Sequence, residues 1–344
     1  MSNMLSNQVI AESVRRLEIQ IYPCNDMNTV NTNIRPYRPE DRKSLVRFWE
    51  DVAKLEATHD RILVIELIDN LDRPNHDPER NTFVSENRGA LTGYIDVLSE
   101  QEIDRVVLQY LVHPAHRRKG ISEKLVERAT ERARTLRVKK VQVNIPQDDK
   151  TGKRLFAKMG FRFVRRFLEL RLDLSKALIS KVTPDDYPCR PMREGEDEKL
   201  TKLQNRSFLN TWGFNPNTPE EIRYRIHRPK ASIEDITLCM GRTEPIGYCW
   251  AKIDDGKDAS MEEKRGRVNM LGVDPNYRGK GVGRKVLIVG LTQLRSRGVR
   301  FVDLTVDNDN RTARGLYQSI GFDERTSSLW YQKDLNLLTD LEKR

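Results

Sequence analysis

The chain contains one pattern twice. HPAHRRKGIS, beginning at His113, lies over DPNYRGKGVG, beginning at Asp274, so that Arg117 falls on Arg278, Lys119 on Lys280 and Gly120 on Gly281, an offset of 161 residues. The same offset carries Leu155 to Leu316, Gly160 to Gly321 and Phe161 to Phe322, and the alignment runs without a gap from 106–161 to 267–322. A period of this length is a duplicated domain, because solenoid repeats recur every ~20–50 residues. The total of 344 residues also suits two domains of roughly 150 residues.

Each copy reads in the same order. An opening strand (33–37, 188–192) precedes a helix with an acidic start (39–53, 194–208) and then a strand pair (82–98, 236–253) whose alternation and Gly-bearing turn mark a hairpin. An apolar strand, a basic Gly turn and a long amphipathic helix follow (122–136, 283–297). A further strand (140–145, 301–306), a short helix stopped at Gly160 or Gly321 and a final strand complete the unit. The expected class is α/β, of the α+β mixed-sheet kind, with a parallel crossover in the second half of each copy. The expected boundaries are an N-terminal extension at 1–31, a first domain at 32–178 and a second at 184–336, with a linker near 175–187. Residues 12–22 of the extension pair with the second copy or lie on the surface.

Lys and Arg number 61 against 51 Asp and Glu, a net charge of +10. That balance suits nucleic acid, a membrane surface, a phosphorylated small ligand or simply a solvated surface, and does not choose among them. No stretch approaches the ~20 apolar residues of a membrane span, and the N-terminus lacks the apolar core of a secretory signal. Cys24, Cys189, Cys239 and Cys249 show neither metal nor redox spacing. The five histidines show no ligand spacing either. A cytoplasmic protein without a metal is expected.

The basic Gly turn carries the chemistry. In VNMLGVDPNYRGKGVGRKVL the apolar strand stops at Pro275 and a helix begins near Gly283, with Arg278, Gly281 and Gly283 in R-x-x-G-x-G spacing. Glycine lets backbone N–H groups close on a phosphate, and the helix start adds free N–H groups and its positive dipole end. Arg278, Lys280 and Arg284 add charge, so the turn suits a pyrophosphate; a tight turn with no ligand is the plain alternative. No P-loop pattern is present, and the glycines follow the fourth strand of each copy, whereas a dinucleotide fold places them after the first.

About 30 residues on stands NDNRTARGLYQSIGF, with Asn310, Ala313, Leu316, Tyr317, Gly321 and Phe322. R-x-x-G-x-G followed by N-x-x-A-x-x-L-Y-x-x-x-G-F resembles the GNAT superfamily of N-acetyltransferases, over both halves and more strongly in the second. The resemblance implies two tandem GNAT acyl-CoA N-acyltransferase domains, each with a mixed sheet splayed between its fourth and fifth strands and acetyl-CoA in the gap. It implies that backbone groups of Leu271 and Val273 hold the pantetheine arm and polarise the acetyl carbonyl. The amides of Arg278, Gly279, Lys280, Gly281, Val282, Gly283 and Arg284 would hold the pyrophosphate, Asn310 would contact the arm, and Tyr317 would protonate the leaving thiolate. A core aromatic is the plain alternative for Tyr317.

The copies differ. Val112, Arg117, Arg118, Lys119, Gly120 and Ser122 form a weaker counterpart of the turn, Phe156 stands in the place of Tyr317, Asp149 in that of Asn310 and Gly152 in that of Ala313. Phenylalanine has no proton to give, so the first copy is expected to be silent and at best a weak CoA binder. One active and one degenerate copy resembles the tandem GNAT enzymes of the mycothiol synthase family, notably at IGYCWAKI, LGVDP and LYQSIGF. In that family a Glu early in the strand before LGVDP is the base; Arg267 stands there in this chain, and a cation cannot take that proton. Asp254, Asp255, Glu262 and Glu263 on the preceding loop are candidates, or simply solvated acids. Phe208, Trp212 and Phe214 line an acceptor site or pack a loop. The expected reaction moves acetyl from acetyl-CoA to a small-molecule primary amine, in a monomer or homodimer. The alternatives are a non-catalytic CoA-binding regulator, a mycothiol-synthase-like acetylation of a thiol-containing amine, and a nucleic-acid-associated acetyltransferase that only the charge suggests.

Overall fold

The computed structural model describes residues 32–55, 70–177, 179, 187–228, 231–254 and 263–336. The proposed extension at 1–31, most of the linker, Cys24, Asp255 and Glu262 lie outside the described residues, as does the side chain of Asp254.

The first copy contributes β1 (Asn33–Pro36), α1 (Arg42–Leu55), β2 (Thr82–Asn87), β3 (Ala90–Glu100), β4 (Arg105–Val112), α2 (Ile121–Thr135), β5 (Lys140–Pro146), α3 (Lys150–Lys158) and β6 (Arg162–Asp173). The second contributes β7 (Cys189–Pro191), α4 (Asp197–Phe208), α5 (Pro219–His227), β8 (Ile236–Met240), β9 (Pro245–Asp254), β10 (Lys264–Val273), α6 (Val282–Ser296), β11 (Val299–Asp307), α7 (Arg311–Ile320) and β12 (Asp323–Asp334). The hairpins, helices and their order follow the sequence reading to within a few residues. No helix among the described residues is long and apolar enough to cross a membrane.

All twelve strands form one sheet, in the order β1-β2-β3-β4-β5-β12-β6-β11-β10-β9-β8-β7. The last strand of each copy has changed places. β6 runs antiparallel to β11, from Asp173 opposite Phe301 to Phe167 opposite Asp307. β12 runs antiparallel to β5, from Ser328 opposite Pro146 to Asp334 opposite Lys140, and β6 and β12 pair with each other at the centre. Strand side chains alternate between faces, and the alternation explains the fit. Leu168, Leu170 and Leu172 of β6 are buried with Val302, Leu304, Val286 and Tyr317 of the second copy, while Leu329 and Tyr331 of β12 pack on the first-copy core of Val141, Val143 and Phe156. Each fully buried aliphatic side chain stabilises by roughly 1.5–3 kcal/mol, so the exchange is held by core burial as well as by the ladder.

Two further cores lie on the opposite face. One joins Leu45, Phe48, Trp49 and Val52 of α1 to Val84 and Tyr94. The other joins Leu200 and Leu203 of α4 and Ile222 and Ile226 of α5 to Leu238, Tyr248 and Trp250.

In both halves the fourth and fifth strands part company. The β4–β5 parallel ladder ends at Leu108 opposite Val143, although β4 continues to Val112 and β5 to Pro146. The β10–β11 ladder ends at Val268 opposite Leu304, with β10 continuing to Val273 and β11 to Asp307. One difference corrects the gapless alignment. β10 pairs with β9 through Val268 and resumes at Met270, so Asn269 is a bulge, whereas β3 and β4 pair without interruption from Gly93–Val112 to Glu100–Arg105. A bulge inserts one residue on one strand. Ahead of Asn269 the copies are therefore offset by one residue less, and Arg267, opposite Asp303, corresponds to Val107, opposite Gln142.

Candidate active site

The Gly turn closes the mouth of the splay in the second copy. Asp274 caps a short turn at Pro275–Tyr277 by accepting from the Asn276 N–H at 3.0 Å, and it also accepts from Arg206 Nε at 2.9 Å. Gly279 and Gly281 take φ of +75° and +79°, the left-handed region that glycine enters without a Cβ penalty. Gly281 is the N-cap of α6, and no side chain caps that helix, so its first-turn N–H groups keep the character of an anion site. Val282 anchors the turn: a Cβ added to Gly247 of β9 would meet Val282 Cγ1 at 2.7 Å. Gly283 faces the splay, where a Cβ would lie 3.3 Å from Val273 Cγ2.

The basic side chains do less here than their charges suggest. Arg278 turns back into the protein, donating from Nη2 to the Ser207 carbonyl at 2.6 Å and from Nε to the Val273 carbonyl at 3.4 Å. It ties α4 to the end of β10, which approach closely because residue 272 is glycine: a Cβ there would meet Tyr248 Cε1 at 2.4 Å and Ser207 Cβ at 3.0 Å. Lys280 lies 5.0 Å from the centre of the Tyr277 ring, and Arg284 donates to Ser319 Oγ at 2.7 Å. The basic side chains of the turn are thus engaged within the protein, and the groups it presents at the helix start are backbone N–H.

Leu271 and Val273 lie on the part of β10 beyond the β11 ladder, bordering the opening. Asn310 caps α7, its Oδ1 accepting from the Ala313 N–H at 3.1 Å, and the amide NH2 group supplies two donors. Tyr317 is only 6% exposed, with its ring 5.7 Å from that of Phe322. Burial, with a smaller contribution from neighbouring Cys249, pushes its phenol well above the ordinary tyrosine range. Cys249 is itself pushed up to about 12 by burial. At neutral pH both keep their protons.

The first-copy turn has the same outline. Arg117 Nε donates to the Val112 carbonyl at 3.1 Å, Gly120 is an uncapped N-cap at φ +76°, and Ser122 follows in α2. Arg118, in the place of Gly279, holds φ of +59°, and Lys119 stands between it and Gly120. Phe156 is fully buried, edge-on to Tyr110 at 5.3 Å and to Phe161 at 5.1 Å. Asp149 caps α3 through the Gly152 N–H at 2.8 Å. A Cβ on Gly152 would meet Asp149 Oδ2 at 2.3 Å and the Tyr110 hydroxyl at 3.2 Å, so two side-chain oxygens converge on this residue.

On the face opposite Tyr317, the exchanged strand brings a charged row to the second copy. Arg267 Nη2 reaches Glu169 Oε2 of β6 at 3.2 Å and bonds to Thr305 Oγ of β11, which in turn bonds to Glu169. Arg171 grips Asp303 through two bonds of 2.6 and 2.8 Å. Beyond them Trp212, from the loop between α4 and α5, meets Phe167 at 6.0 Å and Trp330 at 5.7 Å, while Phe208 stacks on Phe214 at 5.4 Å. Glu263, a candidate base from the loop, is paired with Arg300 at the fully laddered end of β10, away from the opening. Glu169 was not a candidate from sequence. The alternation Phe167, Glu169, Arg171 marks a polar face of its strand, but nothing local says which sheet receives that strand. Among the described residues no group of His, Cys, Asp or Glu is arranged to hold a metal ion.

The model of the acetyltransferase (GNAT) family matches residues 43–161 and again 198–322. Mycothiol acetyltransferase of Thermomonospora curvata is 30% identical over 253 residues, 73% of this chain and 82% of that protein. Its counterpart from Amycolatopsis mediterranei is 29% identical over 251 residues, 71% and 81% of the two chains. Among solved structures, a GCN5-related N-acetyltransferase from Sphaerobacter thermophilus shares the fold with a TM-score of 0.66 at 21% identity, over 88% of this chain and 95% of that one. A tandem GNAT protein from the clavulanic acid biosynthesis pathway does so with a TM-score of 0.66 at 16% identity, over 88% and 98%. The family pattern thus accounts for both halves of the duplication, and the chain belongs to the GNAT acetyltransferases as a tandem member.

Proposed function

We propose that the C-terminal half transfers an acetyl group from acetyl-CoA to a small-molecule primary amine by direct attack, and that the N-terminal half is catalytically silent. The two repeats are taken as 32–178 and 184–336, after an extension at 1–31. The residues of the second turn fit the donor: positive-φ glycines and an uncapped helix start suit a diphosphate, and the splay gives its arm an opening. Bound there, acetyl-CoA supplies an activated thioester. The backbone N–H groups from Arg278 to Arg284 grip the diphosphate, Leu271, Val273 and Asn310 align the arm, and Tyr317 gives its proton to the departing sulfur. The bulge at Asn269 leaves backbone outside the β9 ladder at the head of the opening. A preorganised N–H there would stabilise the oxyanion by about 3 kcal/mol. Gly120 and Ser122 of the first turn, with Val112, Arg117, Arg118 and Lys119, would form at most a weak CoA site.

The single observation carrying this reading is the buried phenol of Tyr317 against the phenyl ring of Phe156 at the matching place. Its test is thiol release from acetyl-CoA in the presence of an amine panel, with wild type and Tyr317→Phe. Amine-dependent release that collapses in the variant supports it; a wild type that binds acetyl-CoA yet turns over with no amine favours a regulatory CoA binder. The relatives' name places a mycothiol-like, thiol-containing amine first in the panel. Arg267, standing where that family's Glu is expected, argues for a broad panel.

A further inference from the structure

On the reading just given, the acceptor reaches the thioester as an ammonium ion and must lose a proton before it attacks. β10 offers no base for this at the expected position, because Arg267 stands there. The exchanged strand supplies a carboxylate to the same spot. Glu169 lies opposite Thr305 in the β6–β11 ladder, and Thr305 is the first residue of β11 beyond the last β10–β11 pair, Val268–Leu304. Arg267 is the residue just before that pair on β10. Arg267, Thr305 and Glu169 therefore meet at the vertex of the splay, each bonded to the others.

The trio also faces the right way. Its neighbours in the strands, Val268, Leu304, Leu168 and Leu170, are buried in the core that holds Tyr317, so by alternation the trio projects from the other face. That face carries the α4–α5 loop, whose Trp212 packs against Phe167 two residues along β6. Glu169 keeps 28% of its side-chain surface and Arg267 27%, so the carboxylate is reachable. The first copy has no equivalent: its vertex presents Val107, Asn144 and, from the exchanged β12, Trp330.

We propose that Glu169, handed across from the N-terminal repeat, takes the proton of the acceptor ammonium, with Arg267 and Thr305 orienting its carboxylate. One ammonium proton goes to Glu169 and on to solvent, the freed nitrogen pair forms the C–N bond to give the tetrahedral oxyanion, and its collapse breaks the C–S bond. Tyr317 protonates the thiolate. A second proton, released from nitrogen as the amide forms, restores Tyr317, and the third stays on the amide. Acid and base thus act from opposite faces of the sheet, and the active site is incomplete without a strand of the silent copy.

The test compares wild type, Glu169→Gln and Glu169→Ala. Glu169→Gln is expected to lower kcat/KM for the amine by about 100-fold or more, with the acetyl-CoA Kd from calorimetry within twofold. The pH dependence of kcat/KM is expected to differ from that of wild type, because that profile reports the free enzyme's essential base. Glu169→Ala is expected to regain turnover with added formate, an effect that a purely structural ion pair does not give. Wild-type turnover lost in Tyr317→Phe but kept within threefold, with an unchanged pH profile, in Glu169→Gln would overturn the role of Glu169 alone. So would a folded Glu169→Ala that formate fails to rescue. A wild type that acetylates no amine overturns the acetyltransferase reading itself, and this inference with it.

Discussion

The two halves share a scaffold and differ at the positions to which the proposed chemistry is assigned. Both have a splay at the same register, a Gly turn with its arginine folded back to the strand end, and an uncapped helix start. The C-terminal half adds the buried phenol of Tyr317, a bulge at Asn269 and a vertex of Arg267, Thr305 and Glu169. The N-terminal half has Phe156, an unbroken ladder, and a vertex closed by Trp330, whose ring also carries Arg105 at 6.0 Å. The lesson is that scaffold positions answer to packing and can stay alike while site positions drift. The exchange adds a second lesson. Each half owns one wall of the other, so the N-terminal half is fixed in place by what it contributes next door.

The largest effect that can break this comparison is at the tyrosine. Tyr317→Phe is expected to lower kcat by about 10²–10⁴-fold, the usual contribution of a general acid, while the acetyl-CoA Kd stays within twofold. The reciprocal Phe156→Tyr is expected to change turnover by less than twofold, because its half also lacks the bulge and the carboxylate. A tenfold gain would show that the phenol alone separates the halves. The pH profile carries a sign. A general acid works while protonated, and burial raises the phenol above its ordinary value of about 10. The alkaline fall in kcat should therefore lie above pH 10, and a fall near pH 8 would assign the acid elsewhere.

Next in size is the crowding at Gly152. An added methyl would sit 2.3 Å from Asp149 Oδ2, so Gly152→Ala must displace the α3 cap. A loss of about 1–3 kcal/mol is expected from overpacking and the disturbed cap, read by urea unfolding. Ala313→Gly in the C-terminal half meets no such crowding and should cost about 1 kcal/mol, through helix propensity alone. Equal losses would mean that Asp149 and Tyr110 rearrange freely and that the N-terminal cleft is less filled than its contacts imply.

Much of this was legible in the sequence, and the limits have a physical cause. The duplication, the strand and helix order, the Gly turns and Tyr317 all rest on local patterns, which side-chain period and turn chemistry write into neighbouring residues. The exchange of β6 and β12 is not local. A period of two says that Leu168 and Leu170 face one way and Glu169 the other, but not which strand lies alongside. Glu169 was therefore hidden: aligned by repeat it matches Trp330, a residue with no acid–base role. The Asn269 bulge was equally silent, since one extra residue in a ladder leaves no mark beyond a changed phase. Arg278 shows the same limit in milder form. Its charge suggested phosphate, yet its guanidinium is committed to the Val273 and Ser207 carbonyls.

A smaller test separates backbone geometry from ligand binding. Gly120 and Gly281 share a left-handed conformation, and a Cβ added to either would meet nothing within 4 Å. Gly→Ala at each should thus cost a similar 1–2 kcal/mol, roughly, for the left-handed backbone. Only Gly281→Ala is expected to weaken acetyl-CoA binding for turnover, visible as a raised KM for acetyl-CoA of about 5–20-fold, since the nest loses its shape there. A matching rise in Gly120→Ala would make the first turn a working part of catalysis.

The smallest effect is at Arg118. It holds φ of +59° where the C-terminal half has Gly279 at +75°, so a side chain occupies a conformation that costs about 1–2 kcal/mol. Arg118→Gly removes that strain but adds chain entropy to the unfolded state, worth about 0.5–1 kcal/mol in the other direction. The net gain expected is about 0.5 kcal/mol, a rise in Tm of about 1–2 °C for a protein of this size. The sign is what matters. A drop in Tm on Arg118→Gly would mean that the guanidinium makes contacts worth more than the strain, and the first turn would then be a maintained structure. A small rise fits a turn that kept its path after losing the need to hold a diphosphate.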